Sequence, residues 1–369
     1  MRPPAAIGFY INPERNRNVG FAMATGAFLG AKEAGWRLAV SEQADAFDDF
    51  PLRGLIIFDM GSDSRELMQK MRARGIPQVL VGGNGGGDLP AIFVDNRLGC
   101  RRLTEALLRR GHRKIAFLGG ESDYWENKLR LEGVRDALRG TGLDLPDRRV
   151  FHTGSWDIRS AFEWGEHIAR HCGGIDALVC ANDQIAQGAV MGLRRGGLRV
   201  PEDVSVTGFD NFALRDSFDP ALSDPPLTTL AYPGFEIGYR ALLRLREEIE
   251  GGSGAMETLI PPALVFRESV RSLEAPGEDS PAVDDYCIHA PMRRTLAGRN
   301  PADLAVTELA EAVLYHALDG DLSERSLNES IRQVIHSGLN DVFGFYLWRR
   351  FQAFLSGITT YAEDEATRR

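Results

Sequence analysis

The chain has 369 residues, of which 43% are hydrophobic and 26% charged, and a formal net charge of −9. That length fits two or three domains, and that composition excludes a disordered or fibrous chain. So acidic a protein offers no general electrostatic footprint for nucleic acid, so DNA contact requires a local basic element or a separate module.

The opening MRPPAAIGFYINPERN has two early prolines and a short apolar run, which reads as a strand, not as an export signal. No apolar stretch reaches the length of a membrane span, and a cytoplasmic location is expected. The four cysteines (Cys100, Cys172, Cys180 and Cys287) are scattered without a C-x-x-C pair. They read as free thiols, with no metal and no cofactor expected.

Short apolar runs then alternate with helical patterns. Strand IGFYI (7–11) precedes an amphipathic stretch at 19–35, followed by WRLAV (36–40) and GLIIF (54–58). A helix over 64–74 leads to PQVLVG (77–82) and AIFVD (91–95). A second series begins with a helix at 97–110, then KIAFLGG (114–120), a helix at 126–140 and RVFHTG (149–154). It continues with a helix at 157–172, IDALVCAND (175–183), a helix at 184–196 and DVSVTGFD (203–210). Continuous apolar strands are buried on both faces, and their alternation with helices predicts parallel, doubly wound sheets. The fold class is therefore α/β, in two lobes. Ligands of such sheets sit outside the carboxyl ends of the strands, so the loops after strands are the candidate site.

The polar residues there suit a hydroxylated ligand. Arg130 presents a planar fork, Trp156 a flat indole for a sugar face, Asn182 an amide that both donates and accepts, and Asp210 a two-oxygen acceptor. Other roles are open for each. Arg130 could pair with Glu126 or Glu132, Trp156 could anchor a core, Asn182 could cap the next helix, and Asp210 could hold a turn. Asp183 reads as stabilising a helix N-terminus. In the first lobe, Asn12, Arg15 or Asn16, Asp59 or Ser62, and Asn96 lie where they can face the cleft. The loop GGNGGGD (82–88) lacks the spacing of a nucleotide loop and reads as a flexible turn. No catalytic motif is present, the seven histidines form no recognisable cluster, and His112 reads as structural in its turn. The chain is expected not to be an enzyme.

Six stretches carry a resemblance. They are VDNRLGCRRLTEALLRRGHRKIAFLGG (94–120), RLEGVRDAL (130–138), VCANDQIAQGAVMGL (179–193), VPEDVSVTGFDN (200–211), PPLTTLAYPGFEIGYRA (225–241) and LVFRESV (264–270). In this order they resemble the effector-binding core of the lactose/galactose repressor (LacI/GalR) family over about residues 5–271. The resemblance implies a type I periplasmic-binding-protein fold, with two lobes joined by three crossings near 95–97, 228–231 and 259–262. Lobe one would be 5–95 with 232–258, and lobe two 96–230 with 259–271. It also implies that Arg130, Trp156, Asn182 and Asp210 contact a small-molecule effector, a sugar or sugar derivative.

Family repressors carry a helix-turn-helix ahead of this core, whereas this sequence begins almost at the first core strand. DNA binding is thus expected only through a module not evident here. Residues 272–285 read as a linker and 286–369 as a helical region for dimerisation or signalling. FYLWRRFQAFLSGITTY (345–361) is similar to the second helix-turn-helix of arabinose-regulator (AraC) proteins, but its following glycine is one residue late. The last helix is apolar over more than one face, and a homodimer is expected. The expected function is a ligand-responsive transcriptional regulator. The alternatives are the sensory half of a signalling kinase or cyclase, or a transporter's solute-binding protein.

Overall fold

In the computed structural model, residues 6–12, 17–58, 62–82, 87–211 and 223–273 are described, and all lie in one compact unit. The first half runs β1 (Ala6–Ile11), α1 (Arg17–Glu33), β2 (Leu38–Ser41), β3 (Leu52–Phe58), α2 (Ser62–Ala73), β4 (Gln78–Val81) and β5 (Ala91–Val94). The second runs α3 (Asn96–Arg109), β6 (Ile115–Gly119), α4 (Trp125–Arg139), β7 (Val150–His152), α5 (Ile158–His171), β8 (Ala177–Cys180), α6 (Asp183–Arg195) and β9 (Ser205–Thr207). The chain then returns through β10 (Thr229–Ala231), α7 (Gly234–Ile249), β11 (Glu257–Ile260) and β12 (Ala263–Val265).

Two parallel sheets result, in the orders β11-β5-β4-β3-β1-β2 and β7-β6-β8-β9. Every residue of β1, β4, β6, β8 and β9 is buried, as expected of strands covered by helices on both faces. Phe9, Tyr10, Leu55, Ile56 and Ile57 fill one core, and Phe117, Leu118, Leu178 and Val179 the other.

Among the described residues the chain passes between the sheets three times. The first passage is at Asp95, whose side chain caps α3 by accepting from Leu98 N at 2.9 Å. The second follows β10, and the third is the Pro261-Pro262 step between β11 and β12. β11 pairs with β5 through Ile260, so Leu259 and Ile260 belong to the first sheet, two residues beyond the boundary expected from sequence. β10 and β12 form an antiparallel ribbon, and bridges Thr207↔Thr228 and Asp210↔Ala231 tie the second passage to the edge of the second sheet.

Glycines set how closely the covering helices dock. A Cβ at Gly238 of α7 would fall on the Met23 carbonyl oxygen of α1, and one at Gly26 on the carbonyl oxygen of Phe235. These are backbone atoms that no rotamer change can move aside. Gly238→Ala is therefore expected to lower stability by about 3 kcal/mol, the upper end of overpacking costs. Chemical denaturation would measure it, and a loss below about 0.5 kcal/mol would contradict the close contact.

Candidate effector site

The candidate residues sit where the strands end. Asn12 follows β1, Asn96 follows β5, Trp156 follows β7, Asn182 follows β8 and Asp210 follows β9. Arg130 is the exception, placed on the second turn of α4 and not at its start.

Arg130 is the hub. It is 5% exposed. Its Nε donates to Asn96 Oδ1 at 2.8 Å, and its Nη1 donates to the carbonyl oxygen of Ala181. Its Nη2 lies 3.7 Å from Asp210 Oδ1, and the guanidinium stacks 3.8 Å over the Phe209 ring. One side chain thus gathers a passage residue and the ends of β8 and β9. The alternative pairing with Glu132 does not form, because Glu132 meets Arg97 at 3.6 Å.

Asp210 is held by its backbone. Its N–H donates to Leu230 O at 2.8 Å and its carbonyl accepts from Tyr232 N at 3.1 Å. Its φ of 106° is a strained setting for a side-chain-bearing residue, tolerated here because both neighbouring bonds fix it. Burial pushes the carboxyl up to about 6, with Arg130 opposing and Glu126 reinforcing. Asp183 is also raised well above the carboxylate range, first by burial and then by Asp210. It accepts from Thr229 Oγ1 at 2.6 Å and from Asn211 N at 2.7 Å, a structural tie between α6 and the second passage.

Asn182 caps α6, its Oδ1 accepting from Ile185 N at 2.8 Å. The amide nitrogen has no hydrogen-bond partner among the described residues, so capping leaves a donor for a ligand. Trp156 stands in a turn closed by its neighbours. Ser155 Oγ donates to Asp157 Oδ2 at 2.6 Å, and Asp157 caps α5 through Ser160 N at 2.8 Å. The indole meets the Tyr124 ring edge-on at 5.3 Å. It is half-buried, not sunk in a core.

The first sheet contributes less. Asn12 is buried and donates to Ser64 Oγ at 3.5 Å, standing on the other sheet from the Arg130 set. Arg15, Asn16 and Asp59 lie outside the described residues, as do the side chain of Ser62, most of the glycine loop and everything beyond Leu273. The expected linker beyond that point, the helical tail and its dimer face are therefore undescribed. Among the described residues, no group of three or more ligating side chains can hold a metal, and no helix is long and apolar enough to cross a membrane. Cys100, Cys172 and Cys180 are free. A hollow of about 590 Å³ lies at the opposite, C-terminal end of α6, but its arginines are already paired, Arg194 with Asp224 and Arg199 with Asp203, each at 2.8 Å.

Residues 104–270 match the periplasmic binding protein-like domain family. The HTH-type transcriptional repressor CytR of Escherichia coli (strain K12) is 32% identical over 189 residues, 50% of this chain and 53% of that protein. The HTH-type transcriptional regulator MalR of Streptomyces coelicolor is 35% identical over 219 residues, 57% of this chain and 60% of that one. Over this stretch the chain is similar to the effector-binding core of LacI/GalR-type regulators. Solved structures agree on the fold. A CelR–cellobiose complex superposes with a TM-score of 0.60 at 24% identity, covering 72% of this chain and 84% of that one. A LacI family regulator from Enterococcus faecium with bound ribose gives a TM-score of 0.60 at 20% identity, covering 73% of this chain and all of that one. The chain spans 53% to 60% of the length of the two sequence relatives it matches.

Tyr124, Asn127, His152 and Tyr232 also line or support this corner of the fold, and the sequence alone does not single them out. Asn127 sits inside a helix at an unremarkable position, and only the pairing of β6 with β7 brings His152 to it.

Proposed function

We propose that this chain is the effector-sensing part of a transcriptional regulator, with a sugar or sugar derivative bound between the lobes. The observation that carries the reading is a buried guanidinium joined to an amide and a carboxylate at the strand ends, with an indole on the same rim. A ring with vicinal hydroxyls needs directional donors and acceptors around one flat apolar contact, and Arg130, Asp210, the free donor of Asn182 and Trp156 supply that set. The ribose- and cellobiose-bound neighbours support the same ligand class. Asn12 and Asn96 complete the proposed site from the first lobe and its passage.

Binding would close the lobes and shift the population between two arrangements, which a homodimer passes to a DNA-contacting module outside the described residues. The protein so read is cytoplasmic, has no catalytic role and needs no cofactor. The test is a thermal-shift screen of the full chain against sugars, sugar phosphates and nucleosides, repeated on Trp156→Ala. A ligand at a hundredfold excess over its Kd adds about 2.7 kcal/mol to the native state. A stabilising carbohydrate whose effect disappears in Trp156→Ala supports the site. No hit across the panel, or a hit indifferent to Trp156, rejects it.

A further inference from the structure

Trp156 rests on a floor that is itself held from beneath. A Cβ at Gly120 would lie 2.7 Å from Cε2 and 2.8 Å from Cδ2 of the indole, so the ring sits directly on that backbone. The Gly120 N–H donates to Asn127 Oδ1 at 3.2 Å, and Asn127 is fully buried. Asn127 Nδ2 lies 3.3 Å from His152 Nδ1.

These contacts fix the chemistry of each atom. Asn127 Oδ1 takes an N–H, so the nitrogen that faces His152 is a donor. His152 Nδ1 must then accept, which requires the neutral ring with its proton on Nε2. We propose that Asn127 and His152 are positioning residues of the effector site, which hold Gly120, and through it the Trp156 indole, only while His152 is neutral. The inference rests on the reading of Trp156 as a wall of that site.

The surroundings of His152 favour the neutral ring. Burial lowers its pKa, and the Arg135 charge on α4 lowers it further, while the Gly120 carbonyl works the other way. From β6 it meets the edge of Phe117 at 6.5 Å, which offers no charge. A proton on Nδ1 would set two donors against each other at 3.3 Å, and Asn127 would have to turn or leave Gly120.

The first measurement needs no ligand. The full chain carrying 5-fluorotryptophan gives a ¹⁹F resonance for Trp156, assigned by its loss in Trp156→Phe. On lowering the pH from about 8 to about 5, that resonance is expected to shift in one step, set by the histidine. His152→Asn keeps a neutral acceptor near the Nδ1 position and is expected to flatten the shift, whereas Asp210→Asn should leave it. A resonance that does not move in the parent, or moves equally in His152→Asn, overturns the proposal. The second measurement uses any carbohydrate hit from the screen. His152→Leu is expected to weaken it about fivefold to tenfold, the worth of one hydrogen bond, with His152→Asn within about twofold of the parent. Equal losses in both variants would count against positioning. If no carbohydrate binds, the reading of the site fails, and the ¹⁹F titration still decides whether the histidine holds the indole.

Discussion

Arg130→Met is expected to abolish measurable effector binding and to lower stability by about 3 kcal/mol, the cost of removing one partner from a buried ion pair. Methionine keeps the aliphatic volume, so the loss is not that of a cavity. What disappears is the bond to Asn96 Oδ1, the bond to the Ala181 carbonyl, the charge facing Asp210 and the stack on Phe209. Asn96 and Ala181 keep acceptors with nothing to accept, each worth roughly 1 kcal/mol or more when buried. Asp210 can limit the damage by taking up a proton, since it already titrates near about 6 with the arginine present. That escape holds the loss nearer the lower end of the range and surrenders the ionised acceptor that a polyol needs. Arg130→Lys is the informative companion. An ammonium keeps the charge but cannot reach Asn96 and Ala181 as a flat fork does, so part of the stability should return without the affinity. Chemical denaturation and titration calorimetry with the carbohydrate hit would read both quantities. An Arg130→Met protein binding within about threefold of the parent would remove Arg130 from the effector site, whatever its stability.

The same residue shows what a sequence can and cannot disclose. Its motif stretch, RLEGVRDAL, carried the family resemblance, and the apolar runs around it disclosed the strands, because parallel strands covered on both faces are written as unbroken hydrophobic segments. His112 reads correctly as structural, since it is fully buried and meets the Arg271 carbonyl at 3.0 Å. Asp183 does open α6, as its reading as a helix N-terminal residue expects, but the bonds it makes run to Thr229 and Asn211. What stayed hidden depends on register between distant strands. Nothing in the order of residues says that His152 on β7 stands beside Asn127 on α4, or that Leu259 and Ile260 pair with the first sheet. Asn182 is ambiguous for a physical reason, because its oxygen caps the helix while its nitrogen has no hydrogen-bond partner among the described residues. On the first lobe, Asn12 meets Ser64 and Asn96 meets Arg130, while Arg15, Asn16, Asp59 and the side chain of Ser62 lie outside the described residues.

Asp210→Asn is expected to stabilise the unliganded protein near neutral pH while weakening the effector by roughly fiftyfold. Burial is the main cause that lifts this carboxyl to about 6, and Glu126 adds to it while Arg130 opposes. An aspartate in the unfolded chain titrates near about 3.9, so the native state holds this proton more tightly than the unfolded state does. The ionised carboxylate therefore penalises folding above about pH 6, by about 3 kcal/mol for a shift of about two units, and the penalty fades as the pH falls from about 6 to about 4. Asparagine has the same shape and no charge, and it escapes the penalty at every pH. The parent should gain on the variant as the pH is lowered from about 7 to about 4.5, and the stability difference between them should shrink accordingly. His152, whose own shift also makes stability depend on pH, is present in both proteins and largely cancels in that difference, whereas Asp183 loses the upward push of Asp210 in the variant and so adds to the variant's gain. Affinity moves the other way. A carboxylate accepts from two vicinal hydroxyls through charge-assisted bonds, whereas the amide offers one acceptor and a mismatched donor, a loss of about 2 to 3 kcal/mol. Urea midpoints at several pH values and calorimetric titration would test both halves. An Asp210→Asn protein less stable than the parent at pH 7, or one that still binds normally, would show that the carboxylate serves the fold. The opposite pair of results would mean that a charge the fold resists, at a residue held at a φ of 106°, is kept for the ligand alone.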